Sequence, residues 1–494
     1  MNSEPLPLIA LLDAAVDAHG DQVALRMGTD SWTYNEFADL VGRCAAHLSA
    51  QGVGKGSRIG LSAGNSPEFV AVVFATMRLG ATIVMISTAW RDREVQHALA
   101  LAEPTHLVHD GSGATALNQL VADRPVIHID DIVSARSGFV PRPEIDLDDL
   151  AVMVFSSGTT GLPKAVRHSH RTMFAGTVHW VETLGLTSDD RLQIATPPFH
   201  ILGLLNLLAV VAAGASVRLH RRFDLDTVLT AIQQDRVTIE MAVAPIALAM
   251  ASHPDLEGFD LSSLRYIMWG ATPVTVSVAE TVTRRCGVRI LPAYGASELP
   301  VIAVNPVDRP DEWRLDSVGL PPRGVEIRVV DLETGDIVVP GDTGELQARS
   351  PSLMLGYLPE EGNESAIVDG WYRTGDVGGV DADGWVTITD RVKEMIKVNG
   401  FQVAPAEVEA VLLGHPGIVD CAVFGVPHPG TGEAIVAAVV RAAESSVTPE
   451  ELSELVATNL ASYKRLSEVR FIDQIPRLAS GKVLRRELQA SHGS

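Results

Sequence analysis

Between Ser156 and Lys164 the chain reads Ser-Ser-Gly-Thr-Thr-Gly-Leu-Pro-Lys, directly after the apolar run Val152–Phe155. The hydroxyl residues Ser156, Ser157, Thr159 and Thr160, with Gly158 and Gly161, are small enough to let backbone N–H groups approach phosphate oxygens closely. Lys164 adds a point charge. The spacing is not that of the G-x-x-x-x-G-K-[ST] loop, so a different phosphate-loop chemistry is expected. Local positive charge is informative here, because 61 acidic residues against 39 basic ones give a formal charge of −22. Such an excess excludes a general nucleic-acid binder, which needs clustered Lys and Arg. Cys44, Cys286 and Cys421 lie far apart without metal-ligand spacing, as in a reduced cytoplasmic protein without disulfides. His168, His170, His179, His415 and His428 form no metal-like spacing and receive no catalytic role.

The run SSGTTGLPK resembles the phosphate-loop signature of the adenylate-forming superfamily: acyl-CoA synthetases, adenylation domains of peptide synthetases, and beetle luciferases. Further motifs follow in the expected order from about Leu8 to Leu488, closest to those of 4-coumarate–CoA ligase-like and fatty acyl-CoA synthetases. Pro197-Pro198-Phe199-His200 is similar to a segment whose His lies beside the acyl tunnel. Trp269-Gly270-Ala271-Thr272-Pro273 resembles the stretch edging the adenine and acyl sites, with Trp269 where a small residue is usual. Tyr294-Gly295-Ala296-Ser297-Glu298 resembles Tyr-Gly-x-Thr-Glu. The resemblance implies that Tyr294 stacks on adenine, Ser297 meets a phosphate and Glu298 holds Mg²⁺, a hard cation suited to oxygen ligands. In Tyr372-Arg373-Thr374-Gly375-Asp376, Asp376 would accept hydrogen bonds from both ribose hydroxyls, as an acceptor-only carboxylate can. Arg391 matches the second ribose and phosphate contact, and Lys393 the hinge. Lys482, in Ser480-Gly481-Lys482, matches the catalytic lysine that neutralises charge at the carboxylate and α-phosphate.

These motifs need a scaffold, and the hydropathy pattern supplies one. Apolar strand-like runs at Ser57–Leu61, Ala81–Ile86, Leu107–Asp110, Val126–Asp130, Val152–Phe155, Val217–His220 and Ile239–Val243 alternate with amphipathic helix patterns such as Pro67–Leu79. That rhythm predicts α/β layers with largely parallel strands. Near Arg323 it changes to polar–apolar alternation between Gly and Asp turns, which reads as a smaller β-rich region. After Asp390 come mixed strands and helices enough for a compact domain. The expected fold is therefore a large N-terminal domain over residues 1–389, with a β-rich subdomain, and a small mobile α+β lid over 390–494. Ile201–Val217 is the most apolar run, but Asn206 and Gly214 interrupt it, so it reads as a buried helix leading into a strand rather than a membrane span. The N-terminus lacks the basic region of a signal peptide.

The resemblance implies an ATP-dependent ligase that converts a carboxylic acid to its acyl-adenylate and then to a thioester. Amino-acid-activating relatives place an Asp after the Pro-x-Phe region, whereas Ile201, Leu202, Gly203 and Leu204 follow His200 here. An unpaired ammonium against such walls is costly, so an aliphatic or aryl acid without an α-amine is expected, with Trp269 favouring small to medium chains. Coenzyme A is the expected acceptor. Arg222 precedes Phe223 where relatives place a basic contact to it, while Asn399, before Gly400, stands where they place a lysine. Lys397 and Gly400 would serve the thiol step. The alternatives are loading of an acyl carrier protein, a luciferase-like oxygenase, and an inactive binding protein.

Overall fold

The computed structural model describes residues 4–112, 124–133, 140–156, 163–270, 274, 276–398, 401–443, 445–477 and 483–492. Two large sheets are built from strands of the first 304 residues, with one edge strand, Gly356–Leu358, added from later in the chain. One has seven strands in the order Gly356–Leu358, Lys164–Ser169, Leu150–Ser156, Thr82–Met85, Arg58–Ser62, His106–His109 and Val126–His128. Its five strands from Leu150–Ser156 to Val126–His128 pair in parallel. The other has eight strands, with Ala303–Val304, Ile290–Tyr294, Tyr266–Trp269, Ile239–Ala242, Arg191–Ile194, Ser216–Leu219, Val23–Met27 and Asp30–Thr33 in order.

Local sequence explains these elements. In Thr82–Met85 and Tyr266–Trp269 all four positions are buried, as expected of parallel strands covered on both faces. The helix Pro67–Arg78 starts with proline at its first position and Ser66 accepting the Phe69 N–H at 3.1 Å. Thr33 and Glu36 close a reciprocal capping box before Tyr34–Ala50. The apolar run forms the helix Ile201–Ala213, ended by Gly214 in the left-handed region, and then the strand Ser216–Leu219. Among the described residues no helix is long and apolar enough to cross a membrane.

The change of texture near Arg323 is a five-stranded antiparallel sheet built on Glu326–Val330, Thr343–Arg349, Trp371–Val380 and Val386–Arg391, with Ile367–Val368 at its edge. Val386–Arg391 stays in that sheet to its last residue, where Arg391 lies opposite Asp376. The next sheet begins at Ile396, after the turn 392–395. This second sheet joins Phe401–Val403, Ile396–Val398, Gly432–Arg441 and Ile418–His428, with Glu468–Phe471 in parallel with Gly432–Arg441. Its core contains Val403, Val408, Leu412, Val423, Ile435, Leu452 and Val456. One sequence assignment changes: the expected strand Val126–Asp130 stops at His128, and Ile129–Val133 is helical.

Candidate active site

Ser156 and Tyr294 end, and Gly270 directly follows, strands of the two large sheets that pair in parallel, and open α/β sheets bind ligands at such C-terminal strand ends. Ser156 ends one strand and Lys164, opposite it, begins the next. Ser157, Gly158, Thr159, Thr160 and Gly161 lie outside the described residues, as do Ala271, Gly400 and Lys482. Arg477 and Val483, on either side of the Lys482 motif, form an antiparallel bridge.

Tyr294 ends the strand Ile290–Tyr294. Gly295 follows where an added Cβ would stand 2.1 Å from the Pro300 carbonyl oxygen, so only glycine fits. The buried Tyr294 hydroxyl donates to Asp376 Oδ2 at 2.5 Å, while Arg391 Nε stands 3.0 Å from Asp376 Oδ1. Burial, and then the Asp376 charge, push the Tyr294 phenol well above its ordinary pKa, so it remains a donor. Gly375 takes a φ of +70° beside Asp376 and accepts the Val392 N–H at 2.9 Å. Arg391 thus reaches Asp376 from the strand that leads into the C-terminal part.

The loop carrying Ser297 and Glu298 is held from two sides. His168 Nε2 lies 2.8 Å from the Ser297 carbonyl, and its burial drives the imidazole pKa down to about 4, keeping it neutral. Met354 N–H donates to the Glu298 carbonyl at 2.8 Å, and Tyr357 Oη donates to Glu298 Oε1 at 2.8 Å. The Glu298 carboxylate is 7% exposed and has no ion-pair partner among the described residues. A buried carboxylate without a protein cation fits Mg²⁺, which takes one or two carboxylates together with substrate phosphates. Among the described residues no group of three His, Cys, Asp or Glu could form a metal cage, so a resident ion held by protein alone is not the pattern here.

His200 caps the start of Ile201–Ala213 and packs on Phe199 with ring centroids 4.7 Å apart. Burial lowers its pKa, leaving a neutral imidazole. Ile201 and Leu202 are half-buried, and Gly203 and Leu204 are buried. Gly203 fits against the bend, since a Cβ would meet Pro198 Cα at 2.8 Å.

Gly270 follows the end of the strand Tyr266–Trp269. Trp269 precedes it. Its side chain is wholly buried, in a core cluster with Val243, Ala244, Ile246, Ala279 and Val282. The alternation along Tyr266–Trp269 puts Trp269 and Ile267 in one cluster and Tyr266 and Met268 in the other. The indole is therefore packed core rather than a free wall, and the chain-length preference expected from it has no support in its placement.

Arg222 is exposed. It borders a cavity of about 790 Å³ with Trp32, His220, Arg221, Asp226 and Gln234. Lys393 lies in the turn 392–395, and Lys397, exposed on Ile396–Val398, gives its N–H to Glu433 Oε2 at 2.6 Å. Next to Lys393, Glu394 is bound by Arg485 Nη1 at 2.6 Å, and the same guanidinium reaches Glu409 at 2.7 Å. Glu394 is thereby tied to the C-terminal part and Val392 to Gly375, which leaves Lys393 between the two anchored ends. Sequence motifs gave no sign of His168, Tyr357 or Arg485, whose partners lie 129, 59 and 91 residues away.

Comparison with known proteins agrees with this geometry. The family model described as AMP-binding enzyme matches residues 12–358, and that of the AMP-binding enzyme C-terminal domain matches 407–482. The chain is 37% identical to 4-coumarate–CoA ligase 2 of Oryza sativa subsp. japonica, over 93% of this chain and 87% of that one. It is 35% identical to a feruloyl-CoA synthase of an Amycolatopsis species, over 95% and 96%. Among solved structures, ATP-bound MatB from Rhodopseudomonas palustris superposes with a TM-score of 0.92 at 28% identity, covering 99% of both chains. The apo form of the same protein gives 0.80.

Proposed function

The chain belongs to the family of AMP-binding enzymes, and from that premise we propose that it activates an aryl acid of the hydroxycinnamate type and delivers it to coenzyme A. In the first step a carboxylate oxygen attacks the α-phosphorus of ATP, forming acyl-AMP and expelling pyrophosphate. In the second the coenzyme A thiol attacks the acyl carbon, the C–O bond to AMP breaks, and AMP and a proton leave. The observation that carries the reading is the Tyr294–Asp376–Arg391 constellation, a preformed acceptor for vicinal hydroxyls.

In this reading Asp376 and Arg391 hold the ribose, Tyr294 flanks adenine, and Ser156, Lys164 and Ser297 meet phosphates. Glu298 would hold Mg²⁺, which supplies charge neutralisation on the leaving pyrophosphate. His200 borders the acyl site, and the apolar segment after it has no carboxylate to pair an α-ammonium. Lys482 offsets the charge of adenylation. Lys393 is the hinge about which the lid turns, bringing Lys397 and Gly400 to the thiol step. The relatives named 4-coumarate–CoA ligase and feruloyl-CoA synthase support the acid class and the acceptor, and nothing supports a carrier protein in its place. Arg222 is the contact proposed for a coenzyme A phosphate. In a test, the purified enzyme receives ATP, Mg²⁺ and 4-coumarate, ferulate, hexanoate or phenylalanine, with coenzyme A or a holo carrier protein. Thioester is followed by mass. Coenzyme A thioesters of the aryl acids are expected, and activation of phenylalanine alone, or acylation of the carrier alone, would refute the reading.

A further inference from the structure

Tyr357 bears no part of the roles above, yet it touches two residues that do. It lies on Gly356–Leu358, a short strand that follows the first part of the β-rich region in sequence but pairs with Lys164–Ser169 at the edge of the seven-stranded sheet. Tyr357 stands opposite Val166 and Leu358 opposite Ala165. Asn363 clamps the strand, accepting the Tyr357 N–H at 2.7 Å and donating to its carbonyl at 3.2 Å. The ring is buried, and Lys164 Nζ lies 4.9 Å from its centroid, within cation–π range. Its hydroxyl donates to Glu298 Oε1, while Met354, three residues earlier, donates its N–H to the Glu298 carbonyl. One short segment therefore grips Glu298 by main chain and side chain and carries Lys164 on a ring.

We propose that Tyr357 is a positioning residue that locks the Glu298 carboxylate and the Lys164 ammonium into one arrangement, its hydroxyl serving the metal-dependent part of nucleotide binding and its ring the metal-independent part. The proposal rests on Glu298 as the Mg²⁺ ligand. A carboxylate whose second oxygen or whole rotamer is free must be ordered when the ion arrives, and outer partners that prevent this typically change metal affinity about 10- to 100-fold. Lys164 has no carboxylate partner among the described residues, so the ring is the contact that holds its ammonium.

The test is calorimetric affinity for ATP, with Mg²⁺ and with EDTA, for the wild type, Tyr357→Phe, Tyr357→Leu, Glu298→Gln and the Tyr357→Phe/Glu298→Gln double variant. Thermal midpoints verify folding. Tyr357→Phe keeps the ring, so it is expected to weaken Mg·ATP about tenfold and leave metal-free ATP unchanged. Tyr357→Leu is expected to weaken both. In the double variant the phenylalanine is expected to cost nothing beyond Glu298→Gln, the mark of a shared interaction. Equal weakening of ATP with and without Mg²⁺ by Tyr357→Phe, or Mg·ATP binding as tight as in the wild type, would overturn the positioning role while Glu298→Gln still removed the Mg²⁺ increment. Retention of the full increment in Glu298→Gln would instead refute the metal assignment, and the inference with it.

Discussion

The site has two corners, and each centres on a buried carboxylate that accepts a hydrogen bond from a tyrosine hydroxyl. At the ribose corner Asp376 also meets Arg391, so the protein itself balances its charge. At the phosphate corner Glu298 meets Tyr357 but no protein cation among the described residues. The difference separates two kinds of ligand. A balanced carboxylate is a preorganised acceptor for neutral hydroxyls, whereas an unbalanced one retains attraction for a cation arriving with the nucleotide. The two corners also differ in how near they lie along the chain to Lys393. Arg391 sits at the end of the strand leading to Lys393, whereas Met354 and Tyr357, which hydrogen-bond Glu298 directly, come well before it in the chain.

The largest effect should come from a residue outside both corners. Lys482→Ala is expected to lower acyl-AMP formation about 10²- to 10³-fold, measured as pyrophosphate release, because it acts on charge present only in that transition state. Thioester formation from supplied acyl-AMP should stay nearly intact, and equal loss in both steps would remove the lid lysine from this account.

Exchanging charge at the corners tests the comparison itself. Asp376→Asn is expected to weaken ATP roughly 10- to 100-fold with Mg²⁺ or with EDTA, since charge-assisted hydrogen bonds contribute about 1.5–3 kcal/mol. A loss confined to the Mg²⁺ condition would mean that the two corners are misassigned. Next in size is the hinge. Lys393→Pro fixes φ near about −65° in a turn that must change shape. Its thioester step should slow about tenfold while pyrophosphate release is spared, and an unchanged overall rate would argue against domain alternation.

Arg222→Ala should raise KM for coenzyme A several-fold, as expected for one exposed charged contact, with acyl-AMP formation untouched. A third carboxyl gives the smallest effect, on stability rather than turnover. Glu240, wholly buried on Ile239–Ala242, accepts a hydrogen bond from the Gln193 amide, whose Oε1 lies 2.7 Å from His220 Nε2. Burial raises its pKa from 4.5 to about 7, against the smaller lowering effect of the Gln193 hydrogen bond. Between those values the folded chain holds a proton that the unfolded chain has released, so Glu240 lowers stability as pH rises through that window. His220, driven by burial down to about 4, acts in the opposite direction, so the measurement is the difference between Glu240→Gln and the wild type. That difference should favour the variant increasingly from pH 5 to 8, by on the order of 3 kcal/mol in urea unfolding. A pH-independent difference would show that Glu240 ionises normally in the folded protein.

Much of this architecture was legible before any coordinates. Strand and helix positions followed from hydropathy period, because parallel strands buried on both faces leave continuous apolar runs and the helices between them alternate with period 3.6. The glycines were legible where geometry forbids any other residue, as at Gly295. Long-range partnership was not legible. Nothing local to Tyr357 states that its strand will cross to the edge of another sheet, and nothing in His168 states that it will hold the Ser297 carbonyl. The packing of Trp269 was hidden for the same reason. Its neighbourhood in sequence borders the acyl site, but the face it takes on a strand buried on both sides is decided by tertiary packing.

The chemistry at the centre of this account is the attack of a carboxylate oxygen on the α-phosphorus, and isotope transfer tests it directly. Ferulate labelled with ¹⁸O in its carboxylate is incubated with the enzyme, ATP, Mg²⁺ and coenzyme A, and the products are resolved by mass. The account predicts one ¹⁸O atom in AMP for each feruloyl thioester formed and none in pyrophosphate. Label in inorganic phosphate, with ADP as the nucleotide product, or AMP without label, would contradict it.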